Sequence, residues 1–136
     1  MILLPPTVRS ALRANDISRR AAAAQGMAEP DPMPVLKLFN PLGAATWLAT
    51  ELDEDGDVLF GLADLGFGCP ELGSFSLSEI ASVRLPFGLS IERDEGFDGL
   101  APLSRWADLA RVHGSLLDAE RVLRAGSSPE LPSDDG

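Results

Sequence analysis

The sequence predicts an α+β fold, a small and mostly antiparallel sheet (a meander) with N- and C-terminal helices packed on it. Three observations predict it. Residues 35–65 hold three short apolar runs in succession, punctuated by turn residues. The string Asp53-Glu54-Asp55-Gly56-Asp57 divides the second run from the third, and Asp-Gly tolerates the positive φ of a hairpin turn. Helical periodicity is confined to the two ends of the chain, residues 3–24 and 102–125.

At the N-terminal end, Pro5 and Pro6 suit a helix start, and Val8, Leu12 and Ile17 fall at helical spacing. Asn15-Asp16 either ends this helix or caps a second one over residues 17–24. Residues 26–34 hold three prolines and read as an extended linker. Strands are expected over residues 35–39, 45–52 and 58–65, with Trp47 pointing inward. A glycine-rich loop, residues 66–73, follows. Phe75 begins a short strand, and Ser76 with Glu79 forms a capping box that opens a helical turn. A further strand is expected over residues 89–93, after the turn Pro86-Phe87-Gly88. Residues 102–112 form a helix with Leu103, Trp106, Leu109 and Ala110 on one stripe. Residues 115–125 form the last helix, stopped by Gly126.

The 136-residue length fits a single globular domain over residues 1–126, with its sheet-rich core at 35–93. Residues 127–136 carry two prolines and three acids and are expected to form a disordered acidic tail. The expected core is Leu38, Trp47, Leu52, Phe60, Leu62, Phe75, Ile80 and Trp106.

Charge is the second strong signal. The formal net charge is −10, which disfavours direct nucleic-acid binding and favours basic partners. Between Lys37 and Arg84 lie eight carboxylates and no lysine or arginine. Turns and loops project side chains into water, so Glu51, Asp53, Glu54, Asp55, Asp57 and Glu71 are the expected acidic, partner-binding face. Arg9, Arg13, Arg19 and Arg20 cluster near the N-terminus. They either dock on the domain's own carboxylates, contact a partner, or lie on a solvated amphipathic helix, the reading that the pattern favours. Apolar stretches fall far short of a membrane span, and the first residues lack the basic start of a secretory signal. A cytoplasmic location is the expectation.

No catalytic motif stands out. Asp53, Asp55 and Asp57 alternate, with Asp64 eleven positions after Asp53, which echoes a calcium loop. The glycine falls at the fourth loop position instead of the sixth, and a solvated hairpin tip explains the run better. Asp64 and Glu71 flank the glycine-rich loop and could face each other as an acid–base pair. With Gly66 and Gly68 they form the alternative ligand loop. Lys37 is the sole lysine and no GxxxxGK[ST] occurs, so a P-loop is excluded. Cys69 is the only cysteine and His113 the only histidine, so a zinc site and a disulfide are not expected. Cys69 and His113 could pair as nucleophile and base, but a histidine at a helix C-terminus is well explained by the helix dipole. No catalytic residue, metal ligand or cofactor is assigned.

Several strings carry a resemblance: VLKLFNP at 35–41, ATWLATELDEDGD at 45–57, FGLADLGFGCPELGSFSLSEI at 60–80, FGLSIERD at 87–94 and PLSRW at 102–106. With LLPP at 3–6 they span most of residues 3–106, and they resemble DUF2958, a bacterial family of unknown function. Ser74 stands where that family often has an aromatic. The resemblance implies a compact domain carried by plasmids and conjugative elements; it brings no activity and no catalytic residue. The expected function is therefore a non-enzymatic accessory factor that binds a protein with a basic surface, such as a nucleic-acid-binding host protein. The rivals are a small metal-dependent hydrolase or nuclease using the loop carboxylates, and a small-ligand regulatory module.

Overall fold

The alternation of residues 35–65 folds into the expected meander. The computed structural model describes residues 2–127. Its elements are α1 (Pro6–Ala24), β1 (Leu36–Phe39), β2 (Thr46–Leu52), β3 (Val58–Asp64), β4 (Glu71–Ser76), α2 (Leu77–Ala81), β5 (Glu92–Arg93), α3 (Leu103–His113) and α4 (Leu116–Ser127). The five strands are antiparallel in the order β4-β3-β2-β1-β5. The chain thus lays down four strands in succession, then returns to place β5 outside β1. No helix among the described residues is long and apolar enough to cross a membrane.

Strand alternation sends apolar side chains to both faces of the sheet, so each face needs a cover. Leu36, Leu38, Ala49, Leu52 and Leu59 pack with Leu12 of α1 and Ile80 of α2. On the other face, Leu48 and Leu62 pack with Leu103, Trp106, Ala107 and Ala110 of α3 and Leu116 and Ala119 of α4. The result is helix, sheet, helix in three layers. Trp106 is fully buried, and its indole N–H donates to the Gly99 carbonyl at 2.7 Å, so the ring satisfies its one polar atom inside the core. Of the expected core, Leu38, Leu52, Leu62, Ile80 and Trp106 are buried, whereas Trp47, Phe60 and Phe75 are half-buried.

A β-bulge shapes the central hairpin. Ala49 pairs with Gly61 but Glu51 pairs with Phe60, so Thr50 is an extra residue. The extra residue shifts the alternation by one. Leu52 joins Trp47 and Ala49 in the α1 core despite its odd spacing from both, and Glu51 moves opposite Phe60, on the α3 face. The two strands cross closely here. A Cβ built on Gly61 would lie 1.8 Å from the Leu48 carbonyl oxygen, so only glycine fits.

Several sequence expectations need correction. The N-terminal helix begins at Pro6 and runs unbroken through Asn15-Asp16. Those side chains do not compete for their own backbone: Asn15 donates to the Thr50 carbonyl of β2 at 3.0 Å, and Asp16 accepts from Arg13 and Arg20 on its own helix. The loop expected at 66–73 ends sooner, because Glu71, Leu72 and Gly73 already pair with β3 as part of β4. Their composition hides a strand that its neighbour dictates. The strand expected at 89–93 shrinks to Glu92–Arg93. α4 runs through Gly126 to Ser127. The capping residue Ser76 does accept the Glu79 N–H at 3.1 Å. The expected disordered tail lies outside the described residues, apart from Ser127.

Candidate functional site

The C-terminal half of α1 turns its charges toward the β2–β3 hairpin. Asp16, 2 % exposed, is gripped by Arg13 at 2.7 Å and by Arg20 at 3.0 Å, with Arg19 at 3.5 Å. Burial of this carboxyl is the largest influence and opposes ionisation. Hydrogen bonds from Arg13 and Arg20, together with their charges, outweigh it and hold the group below the usual carboxylate range. Arg13 also donates to the Leu52 carbonyl at 2.6 Å. The Nε of Arg19 spans both oxygens of Glu51, at 2.8 and 3.0 Å. Arg20 reaches Asp53 at 3.0 Å. Arg13, Arg19 and Arg20 therefore dock on the domain's own carboxylates, which corrects the solvated-helix reading for these three, while Arg9 stays exposed. Helical spacing allows the pairs with Asp16, but it could not reveal Glu51 and Asp53, which lie more than thirty residues downstream.

These pairs form one wall of a cleft of about 540 Å³. Its sheet side is built from Val58, Phe60, Leu72 and Ser74 of β3 and β4. The opposite wall is the proline-rich segment Glu29, Pro30, Asp31 and Pro32 with the start of α3, Leu103 and Ser104. That segment is fixed to α3. The Pro32 carbonyl accepts the Leu103 N–H at 3.0 Å, and Asp31 accepts both the Ser104 N–H at 3.2 Å and the Ser104 hydroxyl. Prolines stiffen the linker, and Asp31 caps a helix that has no side-chain cap of its own. The lining carries five carboxylates (Asp16, Glu29, Asp31, Glu51, Asp53) against the guanidinium groups of Arg19 and Arg20, a formal charge of −3. Glu29 makes no hydrogen bond or ion pair among the described residues. The cleft thus joins an apolar floor to a negative wall, a shape suited to a long basic side chain with an aliphatic stem.

The expected acidic face divides. Glu51 is buried, so its expected outward orientation is corrected: it lies on the α3 face opposite Phe60, where Arg19 reaches it. Asp53 contributes to the cleft rim. Asp55 accepts the N–H groups of Asp57 and Val58 at 2.9 and 3.1 Å and shapes the hairpin turn. Asp57 accepts the Ser76 hydroxyl at 2.7 Å and the Ser78 N–H at 2.8 Å, joining the turn to α2. The Ser76 hydroxyl bond, then the Ser78 bonds, hold the Asp57 carboxyl below its usual range. Glu54 and Glu71 remain exposed.

The alternative ligand loop also divides. Asp64 is buried; its oxygens accept the Gly66 N–H and the Leu116 N–H, each at 2.8 Å. It ties the β3–β4 turn to the first turn of α4. Glu71 is exposed and pairs with Ala63 across the ladder, so the two carboxylates do not face each other as an acid–base pair. Gly66 and Gly68 have φ of 91° and 84°, the requirement of a tight turn. Asp64 pairs with Thr46, far along β3 from the Asp53–Asp57 turn, so the calcium-loop register is not assembled. Among the described residues no group of three or more His, Cys, Asp or Glu could hold a metal ion. Cys69 is exposed, and His113 is the last residue of α3, before Gly114 in the left-handed C-cap.

Sequence reasoning also missed a buried ion pair. Lys37, on the α4 face of β1, reaches Glu120 of α4 at 2.6 Å, and Arg124 holds the other Glu120 oxygen at 2.9 Å. Asp94 stands 3.6 Å from the same ammonium. The signal was a lone lysine inside an apolar strand, which a two-sided sheet must bury and pair.

No curated protein and no solved structure matches this chain. The family described as "Protein of unknown function (DUF2958)" matches it over residues 3–117, nearly the whole of the three-layer fold, and the chain belongs to that family.

Proposed function

We propose that this protein is a non-enzymatic accessory factor that binds another protein through a basic surface on that partner. The observation that carries the reading is the net negative charge of the cleft, continued by exposed Glu54 at the hairpin tip and Glu71 at the start of β4. The carboxylates that could do acid–base chemistry, Asp16, Glu51 and Asp64, are each committed to arginines or backbone N–H groups. Binding therefore fits the geometry better than catalysis. Within the mobile-element setting that the family resemblance suggests, a nucleic-acid-binding host protein is a fitting partner, since its basic surface is complementary to this one.

The test uses charge reversal where no hydrogen bond or ion pair is lost; of the three positions only Glu29 attracts an internal charge, that of Arg19. Glu29→Lys, Glu54→Lys and Glu71→Lys together should lower the stability by no more than about 1 kcal/mol and abolish capture of a basic partner. Capture by the unaltered chain should weaken steeply between about 50 and 500 mM salt. Free duplex DNA should not bind at physiological salt. Capture that ignores both salt and the triple reversal would refute the reading. The reversals at Asp55 and Asp57 that charge alone suggests are unsuitable, because both side chains hold the turn together.

A further inference from the structure

The two edges of the sheet are treated differently. One ends in β5, only two residues long, and short edge strands are a common protection against unwanted pairing. The other ends in β4, six residues in regular register with β3 and no bulge. β4 contains no lysine and no proline. Among the described residues it pairs with β3 alone.

The ladder determines which backbone groups of β4 are free. The Leu77 N–H donates to the Asp57 carbonyl at 2.9 Å, which places residues 57 and 77 in a hydrogen-bonded pair. Antiparallel pairs alternate between hydrogen-bonded and non-hydrogen-bonded. The pairs Leu59–Phe75, Gly61–Gly73 and Ala63–Glu71 are therefore bonded, and Phe60–Ser74 and Leu62–Leu72 are not. The N–H and C=O groups of Leu72 and Ser74 consequently point away from β3, along the open edge. Leu72 and Ser74 are also the two β4 residues that line the acidic cleft, and both are exposed.

We infer that the β4 edge accepts an extended segment of a partner protein, paired to the backbone of Leu72 and Ser74, with a lysine or arginine of that segment over the cleft. This rests on the proposed binding of a basic partner and gives it a geometry. Directly opposed residues in an antiparallel pair share a face of the sheet, so the partner residues bonded to Leu72 and Ser74 project their side chains toward the cleft wall. There the ammonium or guanidinium meets Glu29 and Asp31, while its stem lies on Leu72 and Phe60. Main-chain bonds supply affinity and the alternate side chain supplies selectivity.

The probe is the peptide acetyl-Thr-Val-Thr-Arg-Thr-Val-Thr-amide, titrated to millimolar concentration into the isotope-labelled full chain and followed by amide NMR shifts. The expected result is perturbation of residues 71–76 and of the cleft wall. Binding should be at least about tenfold weaker when Glu replaces the peptide arginine, and comparably weaker when the Val and Arg amides are N-methylated. Ser74→Pro removes one outward N–H without touching the β3 ladder and should weaken binding similarly, with its urea midpoint checked for folding. If no shift occurs in residues 71–76, the inference is overturned. If the arginine peptide binds equally well to Ser74→Pro and when N-methylated, strand pairing is overturned while the basic-partner reading stands. If the Arg and Glu peptides bind alike through β4, the charge component fails and the basic-partner reading fails with it. A dimer in sedimentation that Ser74→Pro disperses would assign the edge to a second copy of this chain and overturn the inference.

Discussion

Asp64 gives the sharpest test of whether a buried carboxylate here is structural or chemical. Its side chain is 4 % exposed and accepts two backbone N–H groups, from Gly66 and Leu116, each at 2.8 Å. Asp64→Asn keeps one acceptor oxygen but turns an NH₂ toward the other N–H, so one charge-assisted bond is lost and one donor is stranded. At roughly 1.5–3 kcal/mol for a bond to a charged group, the cost is about 2–3 kcal/mol. Loss of the negative charge beside the first turn of α4 adds to it, by about 0.3–1 kcal/mol. Asp64→Ala strands both donors and should cost roughly 3–6 kcal/mol, a large share of the ~5–15 kcal/mol that typically holds a domain together. Urea unfolding followed by the fluorescence of buried Trp106 measures both, and amide NMR should show the Gly66 and Leu116 resonances moving most. If both variants stay within about 0.5 kcal/mol of the parent, Asp64 is not a tether. Stability unchanged or raised on substitution is the pattern of a residue kept for activity, and it would revive the hydrolase reading.

Three further outcomes are expected. Lys37→Met should destabilise by about 3 kcal/mol because it leaves Glu120 buried with only Arg124, whereas Lys37→Met with Glu120→Leu should recover most of that loss; additive single effects in a double-mutant cycle would contradict the coupling. Gly61→Ala should lower the melting temperature by about 10 °C or more or prevent folding, since its Cβ would lie 1.8 Å from the Leu48 oxygen; a melting temperature near the parent's would show that the hairpin is not so closely crossed. Asp16, whose folded pKa is depressed, contributes stability that is present above its unfolded pKa of about 3.9 and lost as pH falls through the folded value. The gap in urea midpoint between the parent and Asp16→Asn should therefore be constant above about pH 5 and narrow progressively as pH falls below about 4; a gap that stays constant or widens below about pH 4 would contradict the linkage.

The elements whose cause is local were legible in the chain. Asp53–Asp57 turns because its own residues favour a turn, Ser76 caps because the Glu79 N–H lies three residues on, and the α3 stripe of Leu103, Trp106 and Ala110 is set by helical period. The meander and the family membership followed from the same local strings. Tertiary structure alone decided the rest. One extra residue at Thr50 shifts Glu51 from the face of Trp47 and Ala49 to that of Phe60, where it is buried and paired with Arg19, and no propensity encodes a bulge whose cause is the partner strand. β4 is a strand because β3 offers it a ladder, although Glu71 and Gly73 read as loop. The cleft brings together side chains from α1, the proline-rich segment 29–32, β2, β3, β4 and the start of α3. The charged ones are ordinary solvated residues and Phe60 and Leu103 ordinary core residues in their own sequence windows, and they acquire a common wall only when the three layers close.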